Sequence, residues 1–198
     1  MKLFIKSACT AFVFAVIFSM LPFRAACADL QNDVFRLHIL ANSDSDADQA
    51  LKLKVRDRVL SYTEELFSRA KSREEAESLV ADRLQSIADV AADEIADNGY
   101  SYPVRAEITN MYFTTRHYED YTLPSGCYDA LRLTIGSGEG HNWWCVMFPT
   151  LCVSSASDRD DRAKEALSER EYDVVKDEKR EYKFFFAEVF EKIFSSFF

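Results

Sequence analysis

VFRLHILANSDSDADQALKLKVRDRVL, Val34–Leu60, changes its hydrophobic period part-way, and that change decides the fold. Val34, Arg36, His38 and Leu40 alternate with Phe35, Leu37, Ile39 and Ala41, which is the two-residue period of a strand. Asn42-Ser43-Asp44-Ser45 supplies turn chemistry, and Ser45 with Asp48 three residues on makes a capping box for a helix. Leu51, Leu53 and Val55 then alternate with Lys52, Lys54 and Arg56, as a strand would. The wider window decides for a helix, because Ala47, Leu51, Val55, Val59, Tyr62 and Leu66 recur at spacings of three and four. Leu53 falls off that stripe, which points to a helix covered on two sides or meeting a partner.

Downstream, Ser72 with Glu75 opens a second helix whose stripe is Ala76, Val80, Leu84, Ile87, Ala91 and Ile95, stopped by Asn98-Gly99. The period returns to two after Pro103, where Val104, Ala106 and Ile108 alternate with Arg105, Glu107 and Thr109. Met111 to Thr122 has no clear period, and Leu123-Pro124-Ser125-Gly126 is a turn. Tyr128 to Ile135 is a further alternating strand. Trp143 to Phe148, WWCVMF, has no polar side and is expected in the middle of a sheet, covered on both faces. Gly136 to Asn142 reads as the hairpin loop between these two strands, and Pro149 ends the second. The expectation is an α+β fold: a strand, a helical pair, a mainly antiparallel sheet and a C-terminal helix.

Upstream, Lys2 and Lys6 precede the uncharged run Ser7–Phe23, and small residues stand at Ala26 and Ala28. This is the layout of a signal peptide over residues 1–28, cleaved after Ala28. An uncleaved anchor is the rival, since the apolar run is about the length that spans a bilayer. The organisation expected is a leader, an α+β domain over 29–154, and a charged helix or connector over 155–198 with an aromatic end. In that end, Phe186, Phe190, Ile193 and Phe197 have helical spacing. Packing back on the domain is favoured over membrane contact, because Glu188 and Glu191 oppose anionic lipid.

With 48% hydrophobic and 14% aromatic residues, the chain of 198 residues supports a real core. Its net charge of −9 offers no electrostatic footprint for nucleic acid. Loss of the leader would remove Lys2, Lys6, Arg24, Cys9 and Cys27, leaving a more acidic chain with Cys127, Cys145 and Cys152. Outside the cytoplasm these three form one bridge with one free thiol, or stay as three free thiols. Cys145 and Cys152, close in sequence, are the preferred pair.

No catalytic or cofactor motif completes itself. Asp44-x-Asp46-x-Asp48 starts like a calcium loop, but Gln49 stands in place of glycine at the sixth position and Val55 in place of glutamate at the twelfth. Gly136-x-Gly138-x-Gly140 has its third glycine misplaced for a dinucleotide fingerprint, and a strand follows it. His38, His117 and His141 share no chelating spacing, and no serine lies in a nucleophile elbow. A nucleophile could be drawn from Cys145 with His141, but an apolar strand raises a thiol's pKa and hides it. No metal, cofactor or catalytic residue is therefore expected. What stands out is a set of polar residues beside apolar ones: His38, Asn42, Asp44, Gln49 and Lys52, with Trp143 and Trp144 next to Asn142. It reads as a hydrogen-bonded turn packed on a tryptophan, or as a recognition surface with aromatic anchors.

RLHILANSDSDADQALKLKVRDRVL (Arg36–Leu60), LPSGCYDALRLTIGSGEGHNWWCVMFPTLCV (Leu123–Val153) and the basic, aromatic C-terminal segment resemble the stage II sporulation protein R family. Matching positions include His38, Asn42, Ser43, Asp44, Gln49, Lys52, Asn142, Trp143, Trp144, Cys145 and Pro149. Cys127 stands where a polar residue is expected and Thr150 where the family often has a second proline. The resemblance implies a non-catalytic signalling protein of endospore-forming bacteria. Such a protein is made in the forespore and exported into the space between the forespore and mother-cell membranes. There it activates a membrane-bound aspartic-type protease that processes the precursor of sigma-E. The expected partner is the extracytoplasmic loops of that protease. The contact surface is expected to include His38, Asn42, Asp44, Gln49, Lys52 and Leu53, with Trp143 or Trp144 reachable beside them. The competing function is a secreted hydrolase acting on cell wall or peptide, which a pocket bringing His38 or His141 against a carboxylate or Cys145 would favour.

Overall fold

The computed structural model describes residues 2–67, 69–118, 120–152 and 156–176. The aromatic segment Phe184–Phe198, with its stripe of Phe186, Phe190, Ile193 and Phe197, lies outside them. The architecture is α+β with mainly antiparallel pairing and helices toward the C-terminus, divided into two compact units. The chain runs through α1 (Lys2–Asp33), β1 (Phe35–Leu40), α2 (Asp46–Phe67), α3 (Arg73–Ala81), α4 (Leu84–Asp97) and β2 (Val104–Phe113). The short strands β3 (Arg116–His117) and β4 (Thr122–Leu123) follow, then β5 (Gly126–Ile135), β6 (Asn142–Phe148), α5 (Ala156–Ala166) and α6 (Glu169–Lys176).

The larger unit, residues 32–112 and 127–167, holds the four-stranded sheet and its helical cover. Ser45 caps α2, its hydroxyl accepting from the Asp48 amide at 3.2 Å. The buried face of α2 carries Leu51, Val55 and Val59, extended by Asp48, Lys52, Thr63 and Phe67. Ala47 at the head of the expected stripe is exposed, and Leu53 is half-buried. Ser72 caps α3 through the Glu75 amide.

The second helix expected from the sequence is two. Arg83, at φ −125° and ψ 14°, breaks the ladder between α3 and α4. The stripe carries through the break: Ala76 and Val80 on α3, and Ile87, Ala91 and Ile95 on α4, are all buried. Both helices pack on α2. A break that preserves apolar spacing leaves no mark on periodicity.

The sheet order is β2-β5-β1-β6. Trp143–Phe148 is therefore at an edge instead of the middle, and β1 is an inner strand, parallel to β5 and antiparallel to β6. The alternation of polar residues in β1 suggests a half-solvated strand, yet Phe35 to Ile39 are all buried. Arg36 and His38 tolerate burial through aromatic neighbours. The Arg36 guanidinium sits 5.0 Å from the centre of the Tyr128 ring, and His38 stacks on Trp144, its cross-strand partner, at 4.0 Å.

The order also corrects the loop at Gly136–His141. Because β1 lies between β5 and β6, the loop is no hairpin; it arches over the C-terminal end of β1 to reach the far side. Cys145 and Cys152 are joined as a disulfide, their Cα atoms 6.1 Å apart, within the reach of a bridge. Cys127 is a free, exposed thiol.

The smaller unit, residues 1–31, 113–126 and 168–198, contains most of α1, the pair β3–β4, and α6. Residues Met111–Thr122, without period in the sequence, thus include part of a tight antiparallel pair, with Tyr118 and Tyr121 stacked at 4.4 Å across its turn. Helix α6 opens on a reciprocal capping box: the Glu171 amide donates to Ser168 Oγ and the Ser168 amide to Glu171 Oε2. Gln31 Nε2 donates to the Ser125 carbonyl at 3.0 Å.

Candidate functional site

The strand-to-helix turn and the crossover loop are bound into one platform, with Asn42 joining them. Its Nδ2 donates to Asp48 Oδ2 at 2.9 Å, its Oδ1 accepts the Ser137 amide at 3.0 Å, and its carbonyl accepts the Ser137 hydroxyl at 2.7 Å. Ser43 Oγ donates to the same Asp48 oxygen at 2.5 Å. The Gly140 amide donates to the Ala41 carbonyl at 3.0 Å. The glycines are required by this closeness. A Cβ on Gly136 would stand 2.2 Å from Asn42 Oδ1, and one on Gly140 would stand 2.2 Å from the Ser43 carbonyl oxygen.

Lys52 is buried beneath the loop, where its ammonium donates to Gln49 Oε1 at 2.6 Å and to the His141 carbonyl at 2.8 Å. Gln49 Nε2 in turn donates to the Ser43 carbonyl at 2.9 Å. Burial pulls the Lys52 pKa below the ordinary lysine value, and the carboxylate of Asp44 opposes that shift. The Asp48 carboxyl is held below the usual range by the Ser43 hydroxyl first and Asn42 second. Asp44 is lowered as well, chiefly because its Oδ1 accepts from the His141 ring; it also takes the His141 amide at 2.6 Å.

On the sheet side His38 Nε2 lies 3.0 Å from Asn142 Oδ1 while its ring stacks on Trp144. The Arg56 guanidinium covers Trp143 at 4.3 Å from the ring centre.

The structure thus brings together His38, Asn42, Asp44, Gln49, Lys52, Trp143 and Trp144, and divides them by depth. His38 and Lys52 are buried supports. Asn42, Gln49, Trp143 and Trp144 are half-buried, and Asp44 is exposed. Leu53, half-buried on α2, takes no part in these hydrogen bonds and ring contacts. Sequence reasoning left out Ser137, Arg56 and His141 as platform residues, whereas Ser43 and Asp48 fall within the Asn42 to Lys52 turn and helix start that it expected at the surface. The glycine spacing of Gly136–Gly140 was the signal for the loop members, and reading it as a hairpin hid them. The exposed rim comprises Asp44, His141 and Asn142 beside the two tryptophans. Chemically it offers a carboxylate, an imidazole, an amide and aromatic edges on a rigid base, which is what an anchor surface needs.

Residues 31–158, a span containing the whole platform, match the family described as stage II sporulation protein R. The chain is 34% identical over 152 residues to the stage II sporulation protein R of Bacillus subtilis (strain 168), a match covering 75% of this chain and 68% of that relative. No solved structure matches it. On the strength of both matches, the chain belongs to the stage II sporulation protein R family.

Proposed function

We propose that this chain is a secreted messenger of endospore formation that works by binding and catalyses nothing. In this reading it is made in the forespore, and its leader exports it, with cleavage after Ala28, into the space between the two membranes. There it binds extracytoplasmic loops of a membrane-embedded aspartic-type protease and activates processing of the sigma-E precursor. Family membership supports the sporulation role. The observation that carries the binding reading is the clamped platform, in which two buried polar side chains, His38 and Lys52, are hydrogen-bonded to Asn142 and to the His141 carbonyl of the exposed rim. Such a surface binds with little loss of conformational entropy, because it is already ordered. It activates a receptor only by its differential affinity for the receptor's active and resting states.

Depth decides which substitutions test this. Lys52 is a support, so its loss disturbs the fold. The Asp44–His141 pair is solvent-exposed, its side chains 55% and 78% accessible, and contributes little to stability. The informative variant is therefore Asp44→Arg. Co-expressed with the protease and the sigma-E precursor, the wild-type chain should produce cleaved precursor. Asp44→Arg should reduce cleavage by about tenfold or more, on the scale of an interface hot spot. The reduction should exceed that of Asp44→Ala, which loses the same bonds to His141 but brings no opposite charge to the contact. Thermal unfolding is used to show that both variants are folded at the assay temperature. Normal cleavage with Asp44→Arg would remove the platform from the contact surface. Cleavage that persists when the leader is deleted and the chain stays in the cell that made it would remove the export step.

One observation favours the hydrolase reading: His141 Nδ1 is paired with a carboxylate, that of Asp44. The pair lies on the open rim, and the grooves beside α2 and α5 include neither residue among their walls. Cys145, the nucleophile that reading would use, is bonded to Cys152. Turnover of cell-wall fragments or peptides by the purified chain, abolished by His141→Ala, would establish it.

A further inference from the structure

We propose that the chain self-associates through β2, which pairs antiparallel with the β2 of a second copy about a two-fold axis at Ala106. Strand β2 ends the sheet at the side opposite β6, and among the described residues no strand pairs with its outer edge. The two edges differ. Cys145 to Phe148 of β6 are buried, whereas no residue from Val104 to Tyr112 is. Val104, Ala106 and Ile108 pack on the core cluster but remain only partly covered, and Tyr112 is exposed. An edge of this length without lysine or proline is a template for another strand.

The sequence of the edge identifies its occupant. Val104-Arg105-Ala106-Glu107-Ile108 read backwards is Ile-Glu-Ala-Arg-Val, so it is complementary to itself. In an antiparallel pair centred on Ala106, Arg105 faces Glu107 of the second copy and Glu107 faces its Arg105. Val104 meets Ile108 on the core face, where the half-covered row becomes covered. Directly opposed residues bring their Cβ atoms to about 5 Å, and opposite charges there stabilise the pairing. Within one copy Arg105 and Glu107 already lie on one face, bonded at 2.9 Å, with Arg105 extended into solvent. Centring the axis on Arg105 or Glu107 instead would oppose like charges. Centring it on Ile108 would leave Arg105 facing Met111. Ala106 is the centre that satisfies both charges, and the contact is isologous, closing as a dimer whose two sheets become one.

The test uses two differently tagged copies of the full chain, with capture through one tag and detection of the other. Wild-type copies should co-purify. Arg105→Glu should lose capture of itself by about tenfold, because the carboxylate introduced at position 105 would oppose Glu107 at both symmetric contacts, and Glu107→Arg should lose it likewise. Mixing Arg105→Glu with Glu107→Arg should restore capture, since each charge again meets its opposite. Glu107 also lies 3.8 Å from Arg132, so a copy carrying Glu107→Gln serves as a second complement that avoids repulsion there. Far-UV circular dichroism confirms that each variant is folded. Wild-type copies that do not capture one another overturn the proposal. So do single variants that self-capture like wild type, or complementary variants that stay apart. Capture of an extended segment from another protein by a β2 that ignores its own copy would overturn it too, and assign the edge to that partner.

Discussion

Gly140→Ala is expected to lower the stability of the larger unit by about 3 kcal/mol, the upper part of the range for forcing atoms into a packed site. The physical cause is steric. The new methyl would stand 2.2 Å from the Ser43 carbonyl oxygen and 2.9 Å from the Ala41 Cβ, and the first of these is backbone that cannot rotate away. Relief requires the loop to lift off the turn, which breaks the Gly140 bond to Ala41 and strains the neighbouring bond from Ser137 to Asn42. Gly99→Ala is the control. That residue has φ +82° with nothing within 4 Å of a new Cβ, so only the left-handed backbone is penalised, at about 1–2 kcal/mol. Urea titration of both variants separates the causes. Equal midpoints would mean that the crossover loop does not press on the turn. A lifted loop also releases the His141 carbonyl from Lys52, so Gly140→Ala should weaken precursor cleavage beyond what lost stability explains.

Asp48→Ala should cost a similar amount, about 3 kcal/mol, since it strands the Asn42 amide and the Ser43 hydroxyl in a part-buried site. Asp48→Asn tests the electrostatic share through pH. The folded-state pKa of Asp48 is depressed below the ordinary 3.8, so its contribution is fully present above 3.8 and is lost as pH falls through the lower folded value. The stability gap between wild type and Asp48→Asn should therefore be widest near neutrality and shrink on acidification below about pH 4. Asp44 is depressed too, so wild type and Asp48→Asn share its acid sensitivity and it drops out of the difference. A gap that is constant with pH would mean that the Asp48 charge contributes nothing to the turn.

Much of the platform was legible in one dimension. The capping pattern at Ser45 and the polar set from His38 to Lys52 are local. They reflect hydrogen bonds between residues a few positions apart, such as the Asp48 amide to Ser45 and Lys52 to Gln49. What was not legible is the other half. His141 and Ser137 reach Asp44 and Asn42 across more than ninety residues. No spacing rule reports a partner at that distance. The loop's glycines were visible, but glycine serves hairpins and close approaches alike, and only the neighbour shows which.

The edge position of Trp143–Phe148 has the same explanation. An apolar edge strand and an inner strand look alike in a sequence, because burial can come from helices and loops as well as from flanking strands. Conversely, Arg36 and His38 give β1 a polar alternation although both are buried, because the aromatic neighbours that cover them lie far along the chain.

The order and kind of the main elements and the membership of the family were determined by the amino-acid sequence itself, since caps, turns and hydrophobic period are set by neighbours within about one helical turn. Strand order, the crossover above β1, the break between α3 and α4, and which polar residues are supports and which form the rim were decided only by the tertiary structure. These follow from long-range pairing and packing, whose free energy exists only once distant segments have met.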